Sequence, residues 1–136
     1  MLKTICYISD SREYESLENV KKIYTKAKQN NLKLNITGIL IYQNGNFLQV
    51  LEGHEEQVDK TYEKIRNDSR HRNIIKVINN TIEQRIFEDY NFGFSIIKSS
   101  QEFNELNDYL NWLKHADNKI ANKVILMVEN FIGIIS

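Results

Sequence analysis

The pair Asn44-Gly45 constrains this chain more than any other feature. It separates two apolar, β-prone runs, Ile39-Leu40-Ile41-Tyr42 and Phe47-Leu48-Gln49-Val50-Leu51. Asn followed by Gly best accepts the positive φ angles of a type I′ turn, whose twist matches the strands it joins. The spacing therefore predicts a hairpin, and a hairpin needs further strands beside it to be stable. Residues 2–8 supply one, with Ile5 and Tyr7 on one face and Thr4 and Cys6 on the other. Leu17, Val20, Ile23, Tyr24 and Ala27 recur at helical spacing behind Ser16, a good N-cap, and predict a helix ending in Gln29-Asn30-Asn31. Val58, Tyr62 and Ile65 predict a second helix ending near Asp68. Residues 74–78 and 92–97 read as a fourth and a fifth strand. The order β-α-β-β-α-β-β predicts an α+β, ferredoxin-like sheet with two helices on one face.

Residues 98–136 are different in kind. Ser99 and Glu102 have capping-box spacing ahead of Phe103, Leu106, Leu110 and Leu113. After a polar break at 115–118, the run Val124-Ile125-Leu126-Met127-Val128 is apolar all round and wants burial on more than one side. This tail is expected to cover the second face of the sheet as a helical cap, to build an oligomer interface, or both. No linker separates it from the rest.

A length of 136 residues fits one domain. Its 18 basic and 18 acidic residues balance, which removes the electrostatic case for nucleic acid or anionic membrane as main partner. No apolar run approaches the ~18 residues of a membrane span, and the N-terminus lacks the apolar stretch of a signal peptide. The single cysteine, Cys6, cannot form an internal disulfide, so a reducing cytoplasm is expected. His54, His71 and His115 lack metal-ligand spacing, and no glycine-rich phosphate loop is present. A soluble, cytoplasmic protein without a metal is the expectation.

Several polar side chains sit awkwardly in this plan. Gln49 alternates in phase with Phe47 and Leu51, so it faces the same way as two large apolar groups. A buried amide without partners costs about 1–3 kcal/mol. Gln49 then either bonds locally to backbone, with Tyr7 as plain core and Asn30 and Asn31 as helix caps, or it belongs to a polar site that Tyr7 and the asparagines complete. Asp68-Ser69-Arg70-His71 is either a solvated helix end or an electropositive pocket with an acceptor beside it, suited to ring carbonyls, hydroxyls or phosphates. Cys6 reads as a small apolar residue, and Trp112 as core or interface.

Taken together these positions resemble the BLUF family, blue-light sensors that use a flavin. The match runs from Cys6-Tyr7-Ile8-Ser9 through Asn31-Leu32-Lys33-Leu34-Asn35-Ile36-Thr37-Gly38-Ile39-Leu40. It continues through Gly45-Asn46-Phe47-Leu48-Gln49-Val50-Leu51-Glu52-Gly53 and Asp68-Ser69-Arg70-His71 to Phe87-Glu88-Asp89-Tyr90. The resemblance implies a flavin-binding domain at 1–97 and a C-terminal helical extension at 98–136. It implies that a flavin, FAD by family habit with FMN or riboflavin as alternatives, slides between the two helices. Ile23 and Ile65 match the residues that sandwich the ring. Asn31 matches the amide that bonds its polar edge, and Asn30 offers a second contact. Asp68, Arg70 and His71, with Lys64 close by, match groups near the other edge and the ribityl chain.

Gln49 then has the flavin on one side and the Tyr7 hydroxyl on the other. The mechanism implied is photochemical, without turnover: Tyr7 gives up an electron and a proton on illumination and recovers them. Gln49 emerges rotated or tautomerised, with a new hydrogen bond to the flavin that red-shifts its absorption. The family often carries a tryptophan-serine-methionine triplet where this chain has Tyr90-Asn91-Phe92. Phe92 lacks the methionine that helps pass the change to the sheet, and Tyr90 offers a second phenol, so both bear on signal coupling. The expectation is a sensor and not an enzyme, acting through protein contacts as a homo-oligomer or on a separate downstream protein. The alternatives are a flavin-binding relative that signals weakly, and a ferredoxin-like interaction module without photochemistry.

Overall fold

The computed structural model describes residues 1–11, 17–43, 45–67, 71–88, 94–97, 99–116 and 118–133, with backbone alone at 11, 17–20, 23, 71, 72 and 94–96. Strand β1 (Leu2–Ser11) leads to helix α1 (Leu17–Lys33), then to the hairpin of β2 (Thr37–Gln43) and β3 (Asn46–His54). Helix α2 (Glu55–Arg66), β4 (His71–Ile82) and β5 (Phe94–Ile97) follow. Helix α3 (Ser100–Leu113), a 3₁₀ turn (Lys114–Ala116) and α4 (Lys119–Gly133) complete the chain. The strands form one sheet in the order β4-β1-β3-β2-β5. All neighbours are antiparallel except β2 and β5, which run parallel. This is the expected α+β, ferredoxin-like arrangement.

The hairpin forms where its dipeptide requires. Gln43 pairs with Asn46, leaving two residues for the turn, and Gly45 has φ 81°. Side chains then alternate between two cores. Ile5, Tyr7 and Leu51 pack with Ile36, Val58 and Tyr62, while Leu40 and Phe47 pack with Tyr24, so α1 and α2 share one face. On the other face Cys6, Ile39, Ile41, Leu48 and Val50 pack against Leu106, Leu110 and Leu113 of α3 and Val124, Ile125, Val128 and Phe131 of α4. The C-terminal helices therefore cover the second face as expected. The capping box is present, with Ser99 Oγ accepting from Glu102 N–H at 3.2 Å and Glu102 accepting from Ser99 N–H at 3.0 Å.

Three local expectations need correction. Helix α1 does not stop at Asn31 but runs to Lys33, because the residue that turns the chain is Asn35, at φ 56°. Asn31 is thereby kept inside the last helical turn. Strand β4 extends well beyond 74–78 on both sides; it lies at the sheet edge, where polar residues such as Asn79, Asn80 and Thr81 are tolerated and disguise a strand. Helix α4 is buried on one face only, and Leu126 stands 57% exposed. Ser16, Phe92 and Gly93 lie outside the described residues.

Candidate functional site

Tyr7 and Gln49 are direct partners in the β1–β3 register, on two interior strands of the sheet. Residues opposite each other on an antiparallel pair share a face, so the phenol and the amide meet. The Tyr7 hydroxyl donates to Gln49 Oε1 at 2.8 Å, and Gln49 is 2% exposed. In accepting this bond the amide keeps its N–H donors for another partner on the same helical side. A bulge accompanies the pair. The β1–β4 register slips between Cys6 and Tyr7, so that Tyr7 faces Lys76 and Val77 is the extra residue. Lys76 Nζ lies 4.5 Å from the centre of the Tyr62 ring, and Tyr62 meets Tyr7 edge to face at 5.9 Å. Burial pushes the Tyr62 phenol above its ordinary pKa.

Asn31 approaches the same core from the end of α1. Its carbonyl accepts from Ile36 N–H at 2.8 Å, and Ile36 packs with Ile5, Tyr7 and Leu51. The Asn31 side chain is 2% exposed, yet its buried Nδ2 donor has no hydrogen-bond partner among the described residues. Such a donor is costly unless something accepts from it. Thr61 repeats the pattern on α2: it is 8% exposed and its Oγ1 is buried without a partner. Thr25 on α1, by contrast, satisfies its hydroxyl by donating to Lys21 C=O at 2.9 Å. At 100° per residue, Thr61 lies on the flank of α2 opposite Tyr62 about Val58. Tyr62 faces the β4 side, which turns Thr61 toward α1. Asn31 at the end of α1 and Thr61 on α2 thus each hold a buried polar atom that has no partner among the described residues.

The other expected site residues fall differently. Ile65 is half-buried against the Tyr7 cluster, whereas Asn30 and Lys64 are exposed. The backbone of Ile23 lies in α1 and that of His71 opens β4, but neither side chain is among those described. Asp68, Arg70, Tyr90 and Phe92 lie outside the described residues. Tyr7, Gln49, Asn31 and Ile65 are therefore the expected residues that meet around one core. Among the described residues no cluster of His, Cys, Asp and Glu could hold a metal ion.

Thr61 and Glu52 were not anticipated. Glu52 is buried on the α3–α4 side of β3, in phase with Leu48 and Val50. An acid in register with two apolar residues carried the same signal that singled out Gln49. Thr61 stands one helical turn before Ile65, a position that reads as ordinary until its hydroxyl is seen to lack a partner.

The family model for BLUF, sensors of blue-light using FAD, matches residues 2–93. The blue light- and temperature-regulated antirepressor BluF of Escherichia coli is 37% identical over 78 residues, 57% of this chain and 19% of that protein. The photoactivated adenylate cyclase subunit beta of Euglena longa is 37% identical over 86 residues, 63% of this chain and 10% of that one. The chain thus spans a fifth or less of the length of these relatives. The dark-state structure of the BLUF protein BlrB superposes with a TM-score of 0.68 at 26% identity, covering 93% of this chain and 96% of that one.

Proposed function

The chain belongs to the BLUF family, and from that membership we propose that it is a blue-light photoreceptor whose switch is the Tyr7–Gln49 pair. The observation that carries the proposal is the buried 2.8 Å hydrogen bond from the Tyr7 hydroxyl to Gln49 Oε1. With the phenol as donor, the amide oxygen points toward Tyr7 and its N–H donors are left for a partner on the other side. A flavin between α1 and α2 fits the residues present: Asn31 Nδ2 is a buried donor in want of an acceptor, Thr61 Oγ1 can donate or accept, and Ile65 offers an apolar flank. FAD is the form the family description names; FMN and riboflavin share the ring that these residues would meet.

When bound, the flavin supplies the blue absorption and the oxidising power of its excited state. Everything else falls to the chain. Tyr7 would give an electron and its hydroxyl proton to that acceptor and take both back, so nothing is consumed. While the phenol is without its proton, Gln49 Oε1 loses the donor that held it, and the amide is free to turn. Rotation or tautomerisation of the amide would change the group that Gln49 presents away from Tyr7, and burial would keep water from resetting the bond. Asn31, Thr61 and Ile65 hold the ring in reach. Ile23, Asn30, Lys64, Asp68, Arg70 and His71 are assigned to the same cofactor, and Tyr90 and Phe92 to coupling, on family resemblance. Residues 1–97 are assigned to sensing and 98–136 to output.

The family is a sensor module, and no turnover chemistry is assigned to this chain. Output passes through contact with another protein chain, a second copy or a separate partner. Trp112, 64% exposed on α3, and Leu126 on α4 give the helical side apolar contacts to offer. No helix among the described residues is long and apolar enough to cross a membrane; a cytoplasmic location is the proposal that suits the single, buried thiol of Cys6.

The test is the visible spectrum of purified protein, in darkness and just after blue light. A flavin spectrum that shifts red and relaxes in the dark supports the proposal. A flavin spectrum indifferent to light leaves a binding protein with a disabled switch, and protein that cannot be loaded with flavin overturns the reading.

A further inference from the structure

Three residues beyond Gln49, on the opposite face of β3, Glu52 is fully buried, with Thr4 and Thr37 as its cross-strand partners. It is held by three donors. Thr37 Oγ1 donates to Oε1 at 2.7 Å, Phe87 N–H to Oε1 at 2.7 Å and Ile86 N–H to Oε2 at 2.7 Å. The two amides belong to segment 85–87, which lies in no strand and has no ladder to hold it. Arg85 secures the same segment on another side, donating to Asn35 C=O at 2.8 Å and Thr37 Oγ1 at 3.1 Å. On its far side the segment meets α3: the Tyr109 hydroxyl donates to Ile86 C=O at 2.7 Å, and the Phe87 and Tyr109 rings lie 6.0 Å apart. Tyr109 in turn stacks at 5.6 Å on the solvent-exposed Trp112.

These contacts form one continuous piece from β3 to the surface of α3. Buried N–H groups have no water to turn to, so β3 cannot slide at Glu52 without breaking short bonds or dragging 85–87 along. The segment is the compliant element, being tethered through side chains and not through a sheet ladder. We propose that Glu52 and Tyr109 are positioning residues that carry a displacement of β3 at Gln49 through segment 85–87 to α3. The proposal rests on the photoreceptor reading for its trigger, and the contacts themselves exist without it.

Hydrogen exchange by mass spectrometry on the full chain tests this, with the parent, Tyr109→Phe and Glu52→Gln each followed in darkness and under blue light beside the absorption spectrum. The parent is expected to show the red shift with altered exchange in both 83–88 and 103–113. Tyr109→Phe keeps the red shift and the change at 83–88 but loses the change in α3. Glu52→Gln, with one acceptor oxygen fewer, keeps the red shift and loses both. In the dark, with or without flavin, it exchanges the 86 and 87 amides about tenfold faster. If Glu52→Gln does not fold, Tyr109→Phe decides alone. An α3 change that persists in Tyr109→Phe, or is missing from the red-shifting parent, overturns the coupling. No red shift in the parent overturns the photoreceptor reading and removes the trigger.

Discussion

At the scale of single residues, a buried amide is useful because it can present either a donor or an acceptor to the same neighbour. Gln49 shows its oxygen to Tyr7. Phenylalanine at position 7 deletes the donor and the electron source while keeping the shape, so Tyr7→Phe is expected to load flavin and show no light-induced red shift. Gln49→Leu is expected to do the same for want of an amide. A normal shift in either variant, read in the dark-minus-light spectrum, would refute the mechanism. Thr61 gives a sharper test, because stability and binding should move in opposite directions. Thr61→Val removes a buried hydroxyl that has no partner, so the flavin-free protein should gain about 1 kcal/mol in urea denaturation. The same change removes a proposed contact, and flavin affinity by titration should fall about three- to tenfold. Unchanged affinity would exclude Thr61 from the site.

At the scale of elements, the hairpin imposes a requirement on β2 that composition does not reveal. Gly38 pairs with Leu51 and has φ 145°, and a Cβ built there would lie 1.9 Å from Val50 C=O. Gly38→Ala must therefore part β2 from β3, the strand that carries Gln49, and should cost at least about 3 kcal/mol in denaturant unfolding. Gly133→Ala, with nothing within 4 Å of its added Cβ, should stay within about 1 kcal/mol of the parent. Equal effects would show that the close approach is not limiting. What could be read from sequence follows the same divide between local and distant causes. Asn44-Gly45, the capping box at Ser99 and the alternation around Gln49 are written in neighbouring residues, and each was legible. The true end of α1 was not, because Asn35 turns the chain only once Ile36 has committed to the sheet core. Nor was the full length of β4, whose polar residues are acceptable only at an edge. The second partners of Glu52 lie 34 and 35 residues away, beyond the reach of any periodicity.

For the whole molecule, Glu52 makes stability depend on pH in a sense opposite to most carboxylates. Burial pushes its pKa above the usual carboxylate range, while Thr37, the Ile86 and Phe87 amides and nearby Arg85 hold it back. A raised native value means that the folded state binds this proton more tightly than the unfolded chain does. Its contribution is therefore fully present below the unfolded value, near 4.5, and is lost as pH rises through the native value. The other acids titrate too, so the informative quantity is the difference in unfolding free energy between parent and Glu52→Gln at each pH. Glutamine cannot ionise, and its missing acceptor adds an offset that does not vary with pH. The parent's advantage over the variant should be largest at about pH 4 and shrink steadily toward neutrality. A difference that grows as pH rises would mean that the three donors outweigh burial and hold the carboxylate below its ordinary range. In that case β3 would be fastened to segment 85–87 by a full charge, and the grip of Glu52 on the segment would be strongest at neutral pH.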